Sequence, residues 1–396
     1  MNTEEFEARD RRVRHAPIWM KDYDGGEGLF EEEIELNIVV IASTDPINYE
    51  EAVKSSKWRS TMESEIHSIE NNQTWELIDL SIGAKTIGVK WIYKTKLNEL
   101  GEVDKYKARL VTKGYSQQQG VDFTEVFAPV TRMDTVRMVV TLAAQRGWKI
   151  YQLDVKSAFL HGELSEDVYV KQPEGYKKKR SEHKVYKLHK ALYDLKQAPR
   201  AWFSRIEAHF VNNGFQKCSN EQTLFIKRSS EGKVLIVSIY VDDLIYTDDD
   251  ENMMFDFKNS MMKVFNMTDL GRMRFCLGIE VLQRLDGIFI CQKKYAMEVL
   301  KRFGMFERKS VNRPIVPGFK MSRDNHGVTV DETYFKQMVG NLMYLTVTRL
   351  DIMFSISLIN RYMAKPTELH LQAVKRILRY LKGTTNYGIL YKKGGE

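Results

Sequence analysis

Tyr240-Val241-Asp242-Asp243 decides how this chain is interpreted, because apolar residues lie on both sides of two adjacent carboxylates. The apolar runs at 234–239 and 244–246 predict two strands, with the carboxylates at the hairpin turn between them. Side chains alternate across a strand, so one acid would point into a site and the other beside it. Read alone, an Asp-Asp pair is more often a solvated turn, which is our interpretation of 248–250.

A third carboxylate is expected from residues 148–160, WKIYQLDVKSAFL, where an alternating run ends at Asp154. If this run forms the strand beside the hairpin, Asp154 and Asp242 could share two metal ions about 3.5–4 Å apart, which clamp the entering and leaving oxygens of a displacement. Mg²⁺ prefers hard oxygen ligands and keeps waters and substrate phosphates in its other positions. Either motif alone is weak evidence; placed side by side they would fit such a two-metal site, and solvated turn residues remain the alternative.

Composition limits the other classes of protein. With 396 residues and 43% hydrophobic content, the chain can bury a large core and is expected to form two or three subdomains. Cys218, Cys276 and Cys291 are too few and too scattered for a disulfide framework or a structural zinc site. Neither a signal peptide nor a run of 18 apolar residues is evident, so we expect a soluble intracellular protein without a membrane span.

Charge is distributed unevenly along the chain. Residues 1–100 carry 12 Lys and Arg against 20 Asp and Glu, whereas residues 301–396 carry 17 against 7. Clustered cations release counterions when they contact phosphates, so the basic end is a candidate surface for a polyanion. A well-solvated surface explains the same excess, and the charge alone does not separate the two interpretations.

The two acidic motifs belong to a longer series of short blocks that occur in one order over residues 45–393. The blocks are Trp58–Glu63 (WRSTME), Thr74–Leu77 (TWEL), Lys90–Lys94 (KWIYK), Tyr106–Val111 (YKARLV), Asp122–Val130 (DFTEVFAPV), Leu153–Gly162 (LDVKSAFLHG), Leu195–Trp202 (LKQAPRAW), Tyr240–Asp243 (YVDD), Met267–Gly271 (MTDLG), Leu277–Glu280 (LGIE) and Lys375–Gly383 (KRILRYLKG). In this order they resemble the reverse transcriptase of copia-type LTR retrotransposons. The match extends well beyond the metal motifs, which makes it specific.

This resemblance implies an α+β, right-hand polymerase fold with fingers, a palm built on an antiparallel sheet, and a helical thumb. We expect residues 1–44 to be a disordered tail or linker, residues 45–303 to form fingers and palm, and residues 304–396 to form the thumb and connection, ending before an RNase H domain. Apolar spacing predicts a fingers helix at 48–70, fingers strands at 90–96 and 106–113 around a turn at 98–101, and a thumb helix capped by Gly383.

The resemblance also assigns the nucleotide site. Asp154, Asp242 and Asp243 would hold two Mg²⁺ ions, with Mn²⁺ as the alternative. The other members are Arg109 and Lys94 on the triphosphate, Phe159 as the wall that excludes a 2′-hydroxyl, and Gln197 near the templating base. Each has a plainer interpretation: exposed strand cations, a core aromatic ring and an ordinary loop amide.

Primer and template contacts follow from the same resemblance. A hairpin at 287–294 resembles the primer grip and would present Gln292, Lys293 and Lys294. In the thumb, Leu371, Val374, Ile377, Leu378 and Leu381 form one apolar helix face, while Lys375, Arg379 and Lys382 lie elsewhere and could follow the duplex phosphates. Solubilising surface lysines remain the alternative in both places.

Three residues depart from the family pattern. Asp194 and Asp248 stand where glycine is usual, and Leu350 replaces a usual proline. Glycine can serve a positive φ or a close approach, so aspartate could strain the loop, although Asp tolerates left-handed geometry better than most residues.

The expected reaction is two-metal transfer of a deoxynucleotide to a primer 3′-hydroxyl, directed by an RNA or DNA template, in a cytoplasmic particle or the nucleus. The alternative is a catalytically inactive nucleic-acid-binding remnant of a decayed retroelement, which the substituted glycines favour. A host polymerase unrelated to retroelements is disfavoured, because the resemblance includes copia-type sequence motifs outside the metal motifs.

Overall fold

The computed structural model describes residues 45–97, 103–316, 318, 321–323 and 326–394. The predicted disordered tail at 1–44 and the predicted turn at 98–101 lie outside these residues. No helix among the described residues is long and apolar enough to cross a membrane.

Helices occupy both halves of the described chain and mostly begin at residues that can cap them. Asp250 caps one helix and Asp331 another, each by accepting backbone N–H bonds from the first turn. The helices are α1 Tyr49–Ala52, α2 Ser56–Asn71, α3 Met133–Arg146, α4 Ala198–Asn212, α5 Glu251–Val264, α6 Lys293–Arg302, α7 Glu332–Leu345, α8 Leu350–Asn360 and α9 Glu368–Gly383.

The strands occur in consecutive groups between these helices. They are β1 Trp75–Ile78, β2 Val89–Leu97, β3 Val103–Thr112, β4 Ile150–Val155, β5 Glu163–Val170, β6 Val185–Lys190, β7 Gln216–Lys217, β8 Leu224–Arg228, β9 Val234–Tyr240, β10 Asp243–Asp248, β11 Met267–Arg272, β12 Phe275–Cys276, β13 Ile279–Gln283, β14 Gly287–Cys291 and β15 Gly388–Lys392.

These strands form antiparallel sheets, so the expected α+β class is confirmed. The largest sheet has six strands in the order β11-β4-β10-β9-β8-β7, and a four-stranded sheet has the order β12-β13-β14-β15. A three-stranded sheet, β1-β6-β5, and the β2-β3 hairpin complete the set. The six-stranded sheet positions the candidate site, because β4, β9 and β10 carry all three predicted carboxylates or their turn.

Both faces of the six-stranded sheet are buried. On one face, Val237 and Leu244 pack with Phe210 of α4 and Phe257 of α5. On the other, Ile236 and Ile245 pack with α3 and with apolar residues of the four-stranded sheet. Burial on both sides explains why β9 reads as a continuous apolar run, and it fixes the register, since a one-residue slip would exchange the two faces.

Helices α6 to α9 share a separate apolar core. The five residues predicted to form the apolar face of the last helix are all buried there: Leu371, Val374, Ile377, Leu378 and Leu381. Gly383 was predicted to cap this helix, but it is the last helical residue and Thr384 provides the cap. Thr384 suits that position because its hydroxyl donates to the carbonyl of Tyr380 and accepts from Arg349.

One helix differs from the sequence prediction, and two strands agree with it. The single helix expected at 48–70 is divided into α1 and α2, and Asn48 caps α1 through its side chain. The strands predicted at 90–96 and 106–113 are confirmed as β2 and β3, paired along their length.

The aspartates at positions where glycine is usual have different environments. Asp194 has a φ of 65°, in the left-handed region that glycine adopts without strain. Asp248 was expected in a solvated turn, but it is the last residue of β10 and only 5% exposed. It is buried because β10 continues along β9 to Leu235. Its Oδ1 accepts the N–H of Asp250, while its Oδ2 has no hydrogen-bond partner.

Asp194→Gly should be more stable than Asp194→Ala by about 1 kcal/mol, because alanine pays the left-handed cost and glycine does not. In helix α2 the order should reverse: Glu63→Ala should be more stable than Glu63→Gly by about 1 kcal/mol, since glycine is the poorer helix former. Urea unfolding of the four variants measures both differences. The same order at both positions would contradict the left-handed assignment of residue 194.

Asp248→Asn should remove a pH-dependent loss of stability. Burial, the largest cause, raises the pKa of Asp248 to about 7, and neighbouring acids at 249–251 raise it further. With the folded pKa above the unfolded value, the stability present at low pH is lost as pH rises toward about 7. Between about pH 5 and pH 8 the wild type should lose about 2 kcal/mol more than the variant. Thermal unfolding at both pH values measures this loss of stability. The control is Asp256→Asn, at an exposed position of α5, which should lose as much as the wild type. An equal loss in the wild type and the Asp248→Asn protein would refute the raised pKa of Asp248.

Candidate active site

The tetrapeptide forms the predicted hairpin. Tyr240 and Asp243 are paired across β9 and β10, and Val241 and Asp242 form the two-residue connection between them. Val241 has a φ of 54°, which two-residue hairpin loops require at their first position and which a β-branched residue rarely adopts. The backbone N–H of Val155 donates to the carbonyl of Asp242 at 2.9 Å, so the turn is tied to the strand that carries Asp154.

The predicted placement of Asp154 beside the hairpin is confirmed. Strand β4 pairs with β10, and Asp154 lies directly opposite Asp243. Residues directly opposite share one face of a sheet, with Cβ atoms about 4.5–5.5 Å apart. Gln152, two residues earlier on that face, donates to Oδ1 of Asp243 at 2.9 Å. The sequence predicts that Asp154 and Asp242 share metal ions; the register places Asp243 directly opposite Asp154, with Asp242 next to it in the turn.

Neighbouring acids contribute to the raised pKa values of the hairpin carboxylates. The pKa of Asp243 rises to about 6, first because protein excludes water from it, and then because Asp242 and Asp154 are close. Solvent reaches Asp242, but the surrounding protein still raises its pKa, with a smaller contribution from Asp154. Repulsion of this kind is what a bound cation relieves.

The donor set fits a hard divalent cation. Carboxylate oxygens are the ligands that Mg²⁺ takes in proteins, and three carboxylates lie at one end of the sheet. Within the described residues, no three acidic, histidine or cysteine side chains are close enough to hold an ion by themselves. An ion at this position would therefore complete its coordination with waters and substrate oxygens.

A cationic face of the β2-β3 hairpin approaches the carboxylates. The register pairs Lys94 with Lys107 and Lys96 with Lys105, so these four side chains share one face. The charges of Lys107 and Lys96 act on Asp242 and lower its pKa, which indicates that this face is directed toward the carboxylates. Burial lowers the pKa of Lys107 to about 8, and Arg109 and Lys96 lower it further.

Lys107 and Lys96 were missed in the sequence. Both lie in the hairpin that the motifs identified, but only the pairing register distinguishes the face that carries them from the opposite one. Lys94, which was predicted, is partly buried, and burial lowers its pKa.

Arg109 is committed to protein partners. Its guanidinium pairs with buried Glu65 of α2 at 2.5 Å and lies over the ring of Tyr193, 5.1 Å from the centroid. Burial raises the pKa of Glu65 despite the opposing effect of Arg109, and Oε1 of Glu65 has no hydrogen-bond partner. The arginine thus belongs to the cationic face by register, while its charge is already neutralised by a carboxylate.

Phe159 and Gln197 are buried. Phe159 is 8% exposed and its ring meets that of Tyr193 edge-on, so an aromatic pair links it to Arg109. Gln197 donates to the carbonyl of Asp122 at 2.8 Å and accepts from Gln117 at 3.0 Å. Both ends of the amide are therefore engaged in holding the loop at 117–122 against the start of α4.

The predicted primer grip differs from its sequence description. Strand β14 ends at Cys291, and Lys293 and Lys294 are the first residues of α6, where both are exposed. The helix begins here because Gln292 is its N-cap residue and its carbonyl accepts the N–H of Ala296. The Gln292 side chain is 2% exposed and accepts from Thr348 at 2.9 Å, so it joins β14 to the loop before α8.

The cations of α9 are partly covered by the chain at 305–311. Arg379 donates to the carbonyl of Lys309 at 2.7 Å, and the ammonium of Lys382 lies over Phe306. Lys375 is partly buried on the same helix. The structure thus places these three residues on one helix and directs two of them to neighbouring protein groups.

Comparisons with known proteins agree with the resemblance found in the sequence. A family model described as reverse transcriptase (RNA-dependent DNA polymerase) matches residues 72–317. The Pol polyprotein of transposon RE1 from Arabidopsis thaliana is 39% identical over 360 residues, which is 91% of this chain and 24% of the polyprotein. That of transposon TNT 1-94 from Nicotiana tabacum is 37% identical over 82% of this chain and 25% of the polyprotein. The chain spans about a quarter of the length of these relatives.

Asp243→Asn should stabilise the protein by about 1 kcal/mol at neutral pH without divalent cations, because it removes one of two like charges placed directly opposite. Mg²⁺ should reduce the difference in stability between the variant and the wild type, since the ion relieves repulsion mainly in the wild type. Thermal unfolding in EDTA and in MgCl₂ measures both effects, with Asp286→Asn in an exposed turn as the control. Destabilisation of the Asp243→Asn protein in EDTA would count against repulsion at this site.

Proposed function

Because the chain belongs to the reverse transcriptase (RNA-dependent DNA polymerase) family, we propose that it extends a primer by copying an RNA or DNA template, as the polymerase part of a copia-type retrotransposon polyprotein. The observation that carries this proposal is the pairing of Asp154 with Asp243, with Asp242 in the adjoining turn. Three carboxylates at one sheet end, faced by a cationic hairpin, suit nucleotidyl transfer.

We assign the parts of a right-hand polymerase as follows. The fingers comprise α1, α2 and the β2-β3 hairpin, and the palm is centred on the six-stranded sheet. The thumb comprises the helices after residue 303. Because α6 shares its apolar core with α7 to α9, we favour a palm–thumb boundary before Lys293 rather than at 303.

Asp154, Asp242 and Asp243 would hold two divalent cations, Mg²⁺ or Mn²⁺. The ions would stabilise charge on the entering and leaving oxygens. The carboxylates must be ionised to act as ligands, and the ammonium groups of Lys107 and Lys96 favour the ionised form of Asp242.

The cationic face of the fingers would bind the triphosphate of the incoming deoxynucleotide. The charges of Lys107 and Lys96 both act on Asp242, and the effect of Lys107 is the larger, so Lys107 is our first choice, with Lys94 and Lys96 beside it. Arg109, already paired with Glu65, would act on the nucleotide only by exchanging or sharing its partner. Phe159, whose ring meets that of Tyr193 edge-on, would exclude a 2′-hydroxyl.

Nucleic acid would lie along the basic surfaces. Lys293 and Lys294, exposed at the start of α6, are candidates for the primer strand, and Lys375, Arg379 and Lys382 for the duplex phosphates. Gln197 and Gln292 would act through the loops they hold. We further propose that the protein works in a cytoplasmic particle or in the nucleus.

A catalytically inactive remnant is the second candidate. The specific observation that favours it is Asp248, whose buried carboxyl oxygen Oδ2 has no partner at a position where glycine is usual. This residue lies at the opposite end of β10 from Asp243, so its effect on the carboxylates would be indirect.

Asp154→Asn and Asp242→Asn should each abolish Mg²⁺-dependent extension of a primed homopolymer RNA, because an amide oxygen is a weaker ligand than a carboxylate. Binding of the template–primer should stay within about threefold of the wild type, since these residues contact the ions rather than the duplex. Primer extension and fluorescence anisotropy measure the two effects.

The matched control is Asp256→Asn on exposed α5, which should extend the primer normally. Retained extension by the purified Asp242→Asn protein would refute the assignment of the site. A wild-type protein that binds the template–primer without extending it would instead support the inactive remnant.

A further inference from the structure

We propose that Trp202 is a positioning residue for the catalytic hairpin, because its indole N–H holds the carbonyl of Val241 in the turn that presents Asp242. The inference rests on the proposed polymerase function for its effect on catalysis. The contact itself is a property of the folded chain, and it can be tested without any catalytic activity.

The backbone of the turn must be stabilised by contacts from other parts of the chain. Val241 has a φ of 54°, and a β-branched residue in this region is uncommon because its branched side chain crowds the backbone. Nothing in the local sequence favours such a backbone at this position, since hairpin loops of two residues usually place Gly, Asn or Asp there. A strained backbone persists only where surrounding structure fixes it.

Trp202 provides such a contact. Its Nε1 donates to the carbonyl oxygen of Val241 at 2.6 Å, and the side chain is 2% exposed. Trp202 is buried and Val241 is half-buried, so the bond is partly shielded from solvent and water competes for it less than at an exposed site. The second tether is the Val155 N–H, which donates to the carbonyl of Asp242 at 2.9 Å.

The indole is itself held rigidly. Its ring meets that of Phe265 edge-on, with centroids 5.4 Å apart. Gly162 lies against the same helix, α4: a Cβ at this glycine would be 2.6 Å from the backbone nitrogen of Trp202. The absence of a side chain at Gly162 therefore lets α4 approach closely and carry the indole to the hairpin.

The two tethers fix the turn from two sides. One comes from β4, the strand that carries Asp154, and the other comes from α4 behind the sheet. Without the indole N–H, the peptide between Val241 and Asp242 could turn toward ordinary backbone angles and shift Asp242 relative to Asp154. Misplacement of a reacting group by about 1 Å can reduce a rate about 100-fold.

The experiment replaces Trp202 with 3-benzothienylalanine, which keeps the shape of the indole but has sulfur in place of N–H, and separately makes Trp202→Phe. Both variants should lower kcat for primer extension about tenfold. The KM for the deoxynucleotide and the Kd for the template–primer should change less than about twofold, because the hydrogen bond from Trp202 to Val241 is part of neither binding site.

Trp91→Phe is the matched control. It removes an indole bond of the same kind, from Trp91 to the carbonyl of Glu174 at 3.3 Å, on the face of β2 opposite the cationic face. This variant should retain the wild-type kcat.

Hydrogen exchange supplies a readout that does not need activity. The amide of Val155 should exchange about tenfold faster when residue 202 lacks the donor, because the turn that accepts its bond becomes mobile. The Trp91→Phe protein should show the wild-type rate at Val155.

The outcomes separate the two proposals. If the wild type does not extend a primer, the proposed function fails. Faster exchange at Val155 in the proteins that lack the indole N–H would still support the role of Trp202 in positioning the turn. If the wild type extends a primer and the benzothienylalanine protein matches it in kcat and in exchange at Val155, the role of the indole N–H is refuted. Normal behaviour of that protein with a defect in Trp202→Phe assigns Trp202 a packing role and also overturns the proposal.

Discussion

Repulsion between carboxylates held at one end of a buried sheet is the constraint on which this structure depends. The pairing of β4 with β10 sets Asp154 opposite Asp243, and the turn adds Asp242. Like charges directly opposite in a sheet are unfavourable, and burial increases the cost. The arrangement persists because apolar packing on both faces of the sheet fixes a register that the acids alone would not choose.

The surroundings of the site compensate for this cost in different ways. Gln152 donates to Asp243, and the ammonium groups of Lys96 and Lys107 favour the ionised form of Asp242. The backbone of the turn is tied to β4 by Val155 and to α4 by Trp202. Under the proposed function, divalent cations would complete the compensation by neutralising the carboxylates, and the triphosphate would be met by the cationic face of the β2-β3 hairpin rather than by the acids.

A residue's position could be predicted from the sequence where it follows from the pattern of a short stretch, and not where it depends on distant parts of the chain. The hairpin at 234–248, the neighbouring strand with Asp154 and the apolar face of α9 could be predicted, because each follows from the spacing of apolar residues along a short stretch. Gln197 and Gln292 were predicted to face nucleic acid, yet the structure engages both amides with protein groups. A glutamine in a motif has the same appearance in the sequence whether its amide meets a base or a neighbouring loop.

The sequence by itself determined the family, the α+β class and the identity of the three carboxylates, since these depend on residue type and order. The tertiary structure decided which carboxylate lies opposite Asp154, that the charges of Lys107 and Lys96 act on Asp242, and that Asp248 is buried. It also decided that Trp202 holds the strained turn, although 39 residues separate Trp202 from Val241. The physical reason is that register, burial and long-range hydrogen bonds arise only when distant strands and helices pack together.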